Sequence, residues 1–397
     1  MVRVLPFDQA LATSLISAER RQLLAARAGL RRPGIARRRC FLKGLLSRAH
    51  AFCERFGLQI PILLAPMAGA CEPSLSIAVM KSGGLGACGA LLMKPQEIIS
   101  WAQEVHTQGS GAFQINLWIP EPAPKRDPAY EARVREFLAG WGPVVPAEAG
   151  DVSLPDFSQQ CEAMLQASPG IVSSIMGLYP ASFVERLKQR GIAWFATVST
   201  VGEARAAEAA GADVIVAQGM EAGGHRGSFD PAEAERQQVG LFALLPAVVD
   251  AVKVPVVATG GIADARGVAA ALALGASAAQ LGTTFLRCPE AKIHPAWADA
   301  LARTAPEDTM VSRVFSGRAG RSIATDYVRA ATAPGAPPPA PYPVQRGLTA
   351  AMRAAAQKAG DVQRMQVWAG QSARLGKTAP AEQLTRQFWE GAMEILQ

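Results

Sequence analysis

The 397-residue sequence lacks the features that define several large classes of protein. Its six cysteines, at positions 40, 53, 71, 88, 161 and 288, form no CxxC pair and no Cys/His spacing typical of a zinc site. The longest uncharged stretch, Gly267–Leu286, contains three glycines and several polar residues, so it predicts a helix followed by a strand and no membrane span. No P-loop pattern GxxxxGK[ST] occurs, and no glycine fingerprint of a dinucleotide fold stands between a predicted strand and its helix. We therefore expect no metal and no membrane segment, and thiols kept reduced, as in the cytoplasm.

Charge is also scarce, and it is unevenly placed. Only 18% of the residues are charged and 49% are hydrophobic, which is typical of a compact soluble protein. The net charge is +7, but residues 1–48 hold eleven Lys and Arg against two acidic residues, so the rest is slightly acidic. We expect a basic N-terminal arm, 1–48, which could remain disordered, and no nucleic-acid binding, since its basic residues are not interleaved with aromatics. The segment Arg38–Lys43 superficially resembles a twin-arginine export signal, but the long apolar run of such signals is missing.

From residue 60 onward, short β-branched or apolar runs alternate with Ala-rich stretches of helical period. This alternation predicts parallel strands joined by helices, and eight strands are the number of a (β/α)₈ TIM barrel, an α/β fold. The candidate strands cover residues 62–65, 86–88, 113–117, 172–175, 194–198, 214–217, 256–258 and 279–281.

The spacing of these strands also predicts the domain organisation. We expect the barrel over residues 49–290, with an insertion at 118–170 that is too long and too proline-rich for a simple crossover. After the eighth strand the pattern becomes helical and is broken by the Pro- and Ala-rich segment 333–343. We expect residues 291–397 to form a smaller, mainly helical region that covers the site.

Glycines follow the last two predicted strands. Gly260 and Gly261 come directly after strand seven, and Gly282 and Thr283 come directly after strand eight. Barrel enzymes bind phosphate groups at these two positions, because glycine lets the backbone approach and its N–H groups donate to the phosphate. Each pair alone would also suit a tight strand-to-helix turn. Together they predict the phosphate site of a mononucleotide.

One histidine of the four follows a predicted strand end. His225 comes after Gly223 and Gly224 at the end of strand six, facing the predicted phosphate site. A single histidine is often structural, but an imidazole at this place can accept a proton or hold an anionic substrate. We expect His225 to be the catalytic residue.

Two further strand ends carry groups that suit a flat cofactor. The turn around Met67 after strand one could bring backbone against a ring, and Asn116 and Gln218 could bind its polar edge through their amides. Satisfied polar groups in the barrel mouth are the alternative for either amide.

Seven motifs together resemble the nitronate monooxygenase family, formerly called 2-nitropropane dioxygenases, in its longer-chain class I. The motifs stand in the order of the family and cover roughly residues 50–375. They are APMAG at 65–69, QINLW at 114–118, QGMEAGGHRGSF at 218–229, ATGGIAD at 258–264, QLGTTF at 280–285, PYPVQRGLT at 341–349 and WAGQ at 368–371.

The resemblance implies an oxidoreductase that binds FMN non-covalently in a TIM barrel. It implies oxidation of alkyl nitronates, such as propionate 3-nitronate, by dioxygen to a carbonyl compound and nitrite, by a monomer or homodimer. His225 would position the nitronate or deprotonate a nitroalkane, and Tyr342 would contact the substrate. The implied cofactor-binding residues are Met67, Asn116, Gln218, Gly223, Gly224, Gly260, Gly261, Gly282 and Thr283.

Two other functions are compatible with parts of this pattern. An FMN-dependent NAD(P)H reductase, of the enoyl-acyl-carrier or quinone type, would share the barrel and the Gly-Gly-His loop, and NAD(P)H would then bleach its flavin. A non-catalytic barrel that senses a nucleotide would bind the cofactor and turn over no nitronate. The Pro-rich region with WAGQ favours the oxygen-using class, and a sensor has no evident need for His225.

Overall fold

The computed structural model describes residues 35–109 and 111–397, with side chains from residue 44 onward. Most of the predicted basic arm therefore lies outside the described residues. The strands are β1 Ile62–Leu64, β2 Gly86–Gly89, β3 Phe113–Trp118, β4 Ile171–Ile175, β5 Ala193–Val198, β6 Val214–Gln218, β7 Gly224–His225, β8 Val256–Thr259, β9 Ala278–Leu281, β10 Thr309–Ser312 and β11 Gly320–Ile323.

Fourteen α-helices lie among the described residues. They are α1 Ile35–Phe56, α2 Pro73–Lys81, α3 Pro95–Gln108, α4 Pro128–Ala139, α5 Phe157–Ala167, α6 Ala181–Gln189, α7 Val201–Ala209, α8 Leu241–Ala251, α9 Ala265–Ala273, α10 Pro295–Arg303, α11 Asp326–Ala331, α12 Val344–Leu348, α13 Ala350–Ala359 and α14 Ala381–Leu396.

Eight parallel strands form the central sheet. Their order is β2, β3, β4, β5, β6, β8, β9, β1, and a parallel bridge between Leu63 and Leu85 closes the ring beside β2. The eight strands are those predicted from the sequence, with ends that differ by about one residue. The predicted (β/α)₈ barrel is thus confirmed.

The amino-terminal end of the barrel is filled by aromatic side chains. Phe52 and Phe56, near the end of α1, pack against each other at a centroid distance of 4.8 Å and against Phe195 of β5 at 6.1 and 5.1 Å. Offset and edge-to-face pairs of this kind add to the stabilisation from burial. Since this end is plugged, the carboxyl ends of the strands are the open end, as in other barrel enzymes.

The long connection between β3 and β4 contains two different kinds of structure. Helix α4 packs its Val134 and Leu138 into a separate hydrophobic cluster with residues that follow β9. Helix α5 packs against α3 and places Met164 and Leu165 in the barrel core. Within the predicted insertion 118–170, α5 therefore serves as a helix of the barrel wall, because its apolar face matches that of α3.

The chain leaves the barrel after β9 and returns to it at its end. Residues 282–380 cover the open end and include an antiparallel sheet in the order β10, β11, β7. Helix α14 then packs on α9 and α2, and it buries Leu384 and Phe388 in the barrel core. The region 291–397, predicted to be mainly helical and to cover the site, thus includes a last helix, α14, that packs against the barrel wall.

Candidate functional site

A cavity of about 660 Å³ opens at the carboxyl ends of the barrel strands, beneath the covering region. This volume lies in the range of small-molecule and cofactor sites. All eleven residues predicted from the sequence line its wall. They are Met67, Asn116, Gln218, Gly223, Gly224, His225, Gly260, Gly261, Gly282, Thr283 and Tyr342.

His225 is held by contacts with two aromatic rings and a hydroxyl. It lies on the short strand β7, opposite Gly320 of β11. The imidazole packs against the indole rings of Trp118 and Trp368, edge-on and tilted, at centroid distances of 4.5 and 4.6 Å. Its Nε2 lies 2.8 Å from the Oγ of Ser316. Nδ1 is thus the ring nitrogen that remains for a ligand.

The surroundings of His225 keep its imidazole neutral. Burial, together with the smaller effect of the nearby guanidinium groups of Arg318 and Arg346, lowers the pKa of His225 to about 3. Desolvation and a like charge both disfavour the protonated ring. At neutral pH the side chain is therefore a neutral hydrogen-bonding group and a weak base.

Gln218 and Asn116 both have partners within the protein. The Gln218 side chain donates to the carbonyl of His225 at 3.2 Å and accepts from the Gly227 N–H at 2.8 Å. The Asn116 amide donates to Ser173 Oγ at 3.1 Å. Gln218 therefore holds the backbone of the His225 loop, a contact that the sequence interpretation did not include.

Gly223 and Thr283 meet at a corner that a larger residue could not share. The Gly370 N–H donates to Thr283 Oγ1 at 3.0 Å. A Cβ on Gly223 would lie 2.5 Å from the Gly370 nitrogen and 3.0 Å from Thr283 Oγ1. Close approach of backbone segments of this kind requires glycine.

Gly260 and Gly261 follow β8 with φ of +113° and +70°, a region that favours glycine. The next helix, α9, is capped by Asp264, whose carboxylate accepts the N–H groups of Arg266 and Gly267. The sequence interpretation assigned a phosphate to the N-terminus of this helix as well as to the glycines. The Asp264 carboxylate already supplies a negative charge at the N-terminus of α9. The backbone of Gly260 and Gly261 is therefore the part of this loop that remains to bind an anion.

The sequence interpretation missed several residues of the cavity wall. Trp118 and Trp368 lie within the quoted motifs QINLW and WAGQ, so a signal was present for both. Ser316 lies 91 residues from His225 along the chain, and no local pattern pairs the two. Arg346 and Arg353 also line the cavity. Arg346 lies within the quoted motif PYPVQRGLT, so a signal was present for it too, whereas Arg353 lies outside all seven motifs.

Two other features, a metal site and a membrane span, are not found in the part of the chain that the structure describes. No group of three or more His, Cys, Asp or Glu there could hold a metal ion. None of the described helices is long and apolar enough to cross a membrane.

Comparisons with known proteins agree with the fold. A nitronate monooxygenase from Paraburkholderia phytofirmans is 39% identical over 344 residues, which cover 85% of this chain and 93% of that protein. A nitronate monooxygenase from Pseudomonas aeruginosa is 36% identical and covers 85% of this chain and 98% of its own. The crystal structure of a nitroalkane oxidase from Streptomyces ansochromogenes superposes with a TM-score of 0.78 at 36% identity, covering 87% of this chain and 98% of that chain.

The barrel and its lined cavity define the class of protein as a TIM-barrel oxidoreductase. The family model described as nitronate monooxygenase matches residues 50–391. The chain therefore belongs to the nitronate monooxygenase family, and it is an enzyme of that type.

Proposed function

We propose that this enzyme oxidises alkyl nitronates with dioxygen, using FMN bound in the cavity, to a carbonyl compound and nitrite. The observation that carries the proposal is the neutral, half-buried His225, which contacts Trp118 and Trp368 in the cavity wall. The glycines predicted to bind a phosphate line the same cavity. We also propose the cytoplasm as its compartment, because the five described cysteines are free thiols.

The residues of the cavity suit a flavin mononucleotide. Gly223, Gly260, Gly261 and Thr283 line the same cavity, and Gly261 is exposed, so its backbone is open to a phosphate. At Gly224 an added Cβ would meet nothing within 4 Å, so this part of the wall borders open space rather than packed side chains. FMN, when bound, would supply the redox chemistry that these side chains lack.

His225 would hold the nitronate rather than create it. When the Ser316 hydroxyl donates to Nε2, the neutral ring carries its proton on Nδ1, and this N–H can donate to an anionic oxygen. A general base works best when its pKa lies near the working pH, and the pKa of His225 is about 3. Deprotonation of a neutral nitroalkane would therefore be slow, and the already ionised nitronate is the substrate we propose.

The test is an assay of the purified holoenzyme with propionate 3-nitronate, following oxygen uptake and nitrite release. We expect both in the native enzyme, and a loss of about 100-fold or more in kcat/KM for His225→Ala. We also expect nitronates to exceed the matching nitroalkanes in kcat/KM by about 100-fold. A yellow protein that is bleached by NADPH but does not oxidise nitronates would be a reductase. A protein that is not bleached by NADPH and does not oxidise nitronates would be a binding protein.

A further inference from the structure

The hydrogen bond between Ser316 and His225 can run in either direction, and its direction decides which ring nitrogen carries the hydrogen. If the hydroxyl donates to Nε2, the neutral ring has its hydrogen on Nδ1. If Nε2 donates to the hydroxyl, Nδ1 carries a lone pair instead. Among the described residues, Nδ1 is not one of the polar atoms enclosed without a partner. It is therefore the ring nitrogen that a molecule in the cavity can reach.

The contacts of the Ser316 hydroxyl favour donation to the ring. Its Oγ accepts the backbone N–H of Arg318 at 3.2 Å. Its own hydrogen has two acceptors nearby, the Nε2 of His225 at 2.8 Å and the carbonyl oxygen of Arg318 at 3.3 Å. A hydroxyl that donates to an oxygen lies about 2.5 to 3.0 Å from it, so the carbonyl is too distant to compete. The hydroxyl therefore donates to Nε2, and Nδ1 carries the hydrogen of the ring.

The backbone around Ser316 holds the hydroxyl in this position. Gly317 has a φ of +88°, and a Cβ there would lie 2.6 Å from the carbonyl oxygen of Ala340, so this turn has little room to change. The Gly317 N–H donates to the Arg313 carbonyl at 2.8 Å. Ser316 is also only 1% exposed, so water has little access to its hydroxyl. The direction of the hydrogen bond is thus fixed by the fold.

The segment that carries Ser316 also holds the main chain of His225. Gly320 lies opposite His225 in the pairing of β7 with β11. The backbone N–H of Arg226 donates to the carbonyl of Ala319 at 2.9 Å. The hydroxyl and the imidazole are therefore positioned by the same few residues, although the two side chains are 91 residues apart along the chain.

The tautomer that results suits an anion better than a carbon acid. An N–H at Nδ1 can donate to the negatively charged oxygen of a nitronate. It cannot take the proton of a neutral nitroalkane, because the lone pair of the ring lies on Nε2 and accepts the Ser316 hydroxyl. We propose that Ser316 is a positioning residue that fixes this tautomer of His225 and thereby makes the enzyme select nitronates over neutral nitroalkanes. This inference rests on the proposed function.

The first test detects the tautomer directly, without turnover. The histidine rings of the holoenzyme are labelled with ¹⁵N, and His225→Asn identifies the signals of His225 among those of the four histidines. We expect the Nδ1 of His225 to have the chemical shift of a protonated nitrogen, and Nε2 that of an unprotonated one. In Ser316→Ala, the hydrogen should be shared between the two nitrogens. A native protein with the hydrogen on Nε2 would overturn the proposal.

The second test compares propionate 3-nitronate with its nitroalkane, 3-nitropropionate. We expect Ser316→Ala to raise KM for the nitronate about fivefold or more, because only the molecules with the hydrogen on Nδ1 then bind the anion well. The kcat for the nitronate should change less than its KM. For 3-nitropropionate, kcat/KM should change by less than about threefold, so the ratio of the two kcat/KM values falls. Ser316→Thr, which keeps the hydroxyl, should restore the ratio and the native ring signals.

The matched control is Ser76→Ala. Ser76 is also buried, donates to the Ala87 carbonyl at 2.7 Å and accepts the Ala87 N–H at 3.1 Å. Its loss removes a buried hydroxyl with a similar pair of hydrogen bonds and no bond to His225. We expect the ring signals of His225 and the ratio of the kcat/KM values to stay as in the native protein.

The outcomes distinguish this inference from the proposed function. An enzyme that oxidises no nitronate, but whose His225 tautomer depends on Ser316, would refute the proposed function and keep the role of Ser316 in fixing the ring. Unchanged ring signals and an unchanged ratio in Ser316→Ala would refute the inference and leave the proposed function intact. Equal losses with the nitronate and the nitroalkane, at unchanged ring signals, would also refute it, because Ser316 would then be structural only.

Discussion

At the scale of single residues, the neutral state of His225 has a measurable consequence. Its pKa is about 3, since burial and two guanidinium groups disfavour the imidazolium ion. An ordinary histidine would titrate near pH 6.5. We therefore expect kcat/KM for a nitronate to show no inflection between pH 5 and 8, measured by nitrite release. An inflection near 6.5 that His225→Asn abolishes would contradict the buried, neutral ring.

The lowered pKa of His225 also affects the stability of the folded protein. Between pH 3 and 6.5 the unfolded chain protonates this histidine while the folded protein does not. The free energy of unfolding therefore falls as the pH falls through this window. We expect the fall in the free energy of unfolding from pH 7 to pH 5 to be smaller in His225→Asn than in the native protein, by urea titration. An identical slope in the two proteins would argue against the shift.

Gln218 shows how much of a site residue's role the sequence alone conveys. The sequence predicted its place in the cavity wall, because it ends a barrel strand. Its partners, His225 and Gly227, could not be predicted, because they depend on how the loop folds back over β6. The same is true of Ser316, which reaches His225 from a distant part of the chain.

We expect Gln218→Leu to weaken the loop that carries His225. The change would leave a buried N–H and a carbonyl without partners, at a cost of about 1 to 3 kcal/mol in the free energy of unfolding. With the loop less fixed, kcat should fall by about tenfold or more, since the imidazole would be less well placed. The control is Gln237→Leu, whose side chain is exposed and bonds only Glu233. Equal effects of the two changes would show that Gln218 has no special role.

At the scale of elements, the cavity wall depends on loops that approach one another closely. The loop before β7 meets the loop around Gly370 at Gly223. We expect Gly223→Ala to push the two apart and to raise the dissociation constant for FMN by about 5- to 100-fold, measured by flavin fluorescence. The control is Gly170→Ala, because an added Cβ there meets nothing within 4 Å. Unchanged FMN affinity in Gly223→Ala would place the cofactor elsewhere.

Some strands and helices could be predicted from the sequence alone, and others could not. The barrel strands were predicted to within about one residue because apolar runs alternate with Ala-rich helices that end in Gly-Ala. Helix α7 begins where Thr200 and Glu203 form a capping box, a local pattern that can be read from the sequence. The role of α5 in the barrel wall was not predicted, because the proline-rich loops before it do not show where the insertion after β3 ends.

At the scale of the whole molecule, the sequence predicted that the region containing α14 would be mainly helical, and it did not predict that α14 packs against the barrel wall. An amphipathic pattern shows that one face is buried, but it does not say against what. In the structure the chain makes the covering region before it completes the barrel, and Gly391 lets α14 approach Ala265 of α9 closely. The covering region is thus anchored to the barrel at both of its ends.

This arrangement predicts that the last helix stabilises the barrel and not just the cover. Phe388 is buried and packs edge-on against Phe285, directly after the glycine loop of β9, at a centroid distance of 5.9 Å. We expect Phe388→Ala to lower the free energy of unfolding by about 3 to 5 kcal/mol, as for other large buried aromatics. Urea unfolding followed by tryptophan fluorescence would measure it, with the exposed Glu390→Ala as the control. A loss below about 1 kcal/mol, with one cooperative transition retained, would mean that the barrel wall is complete without α14.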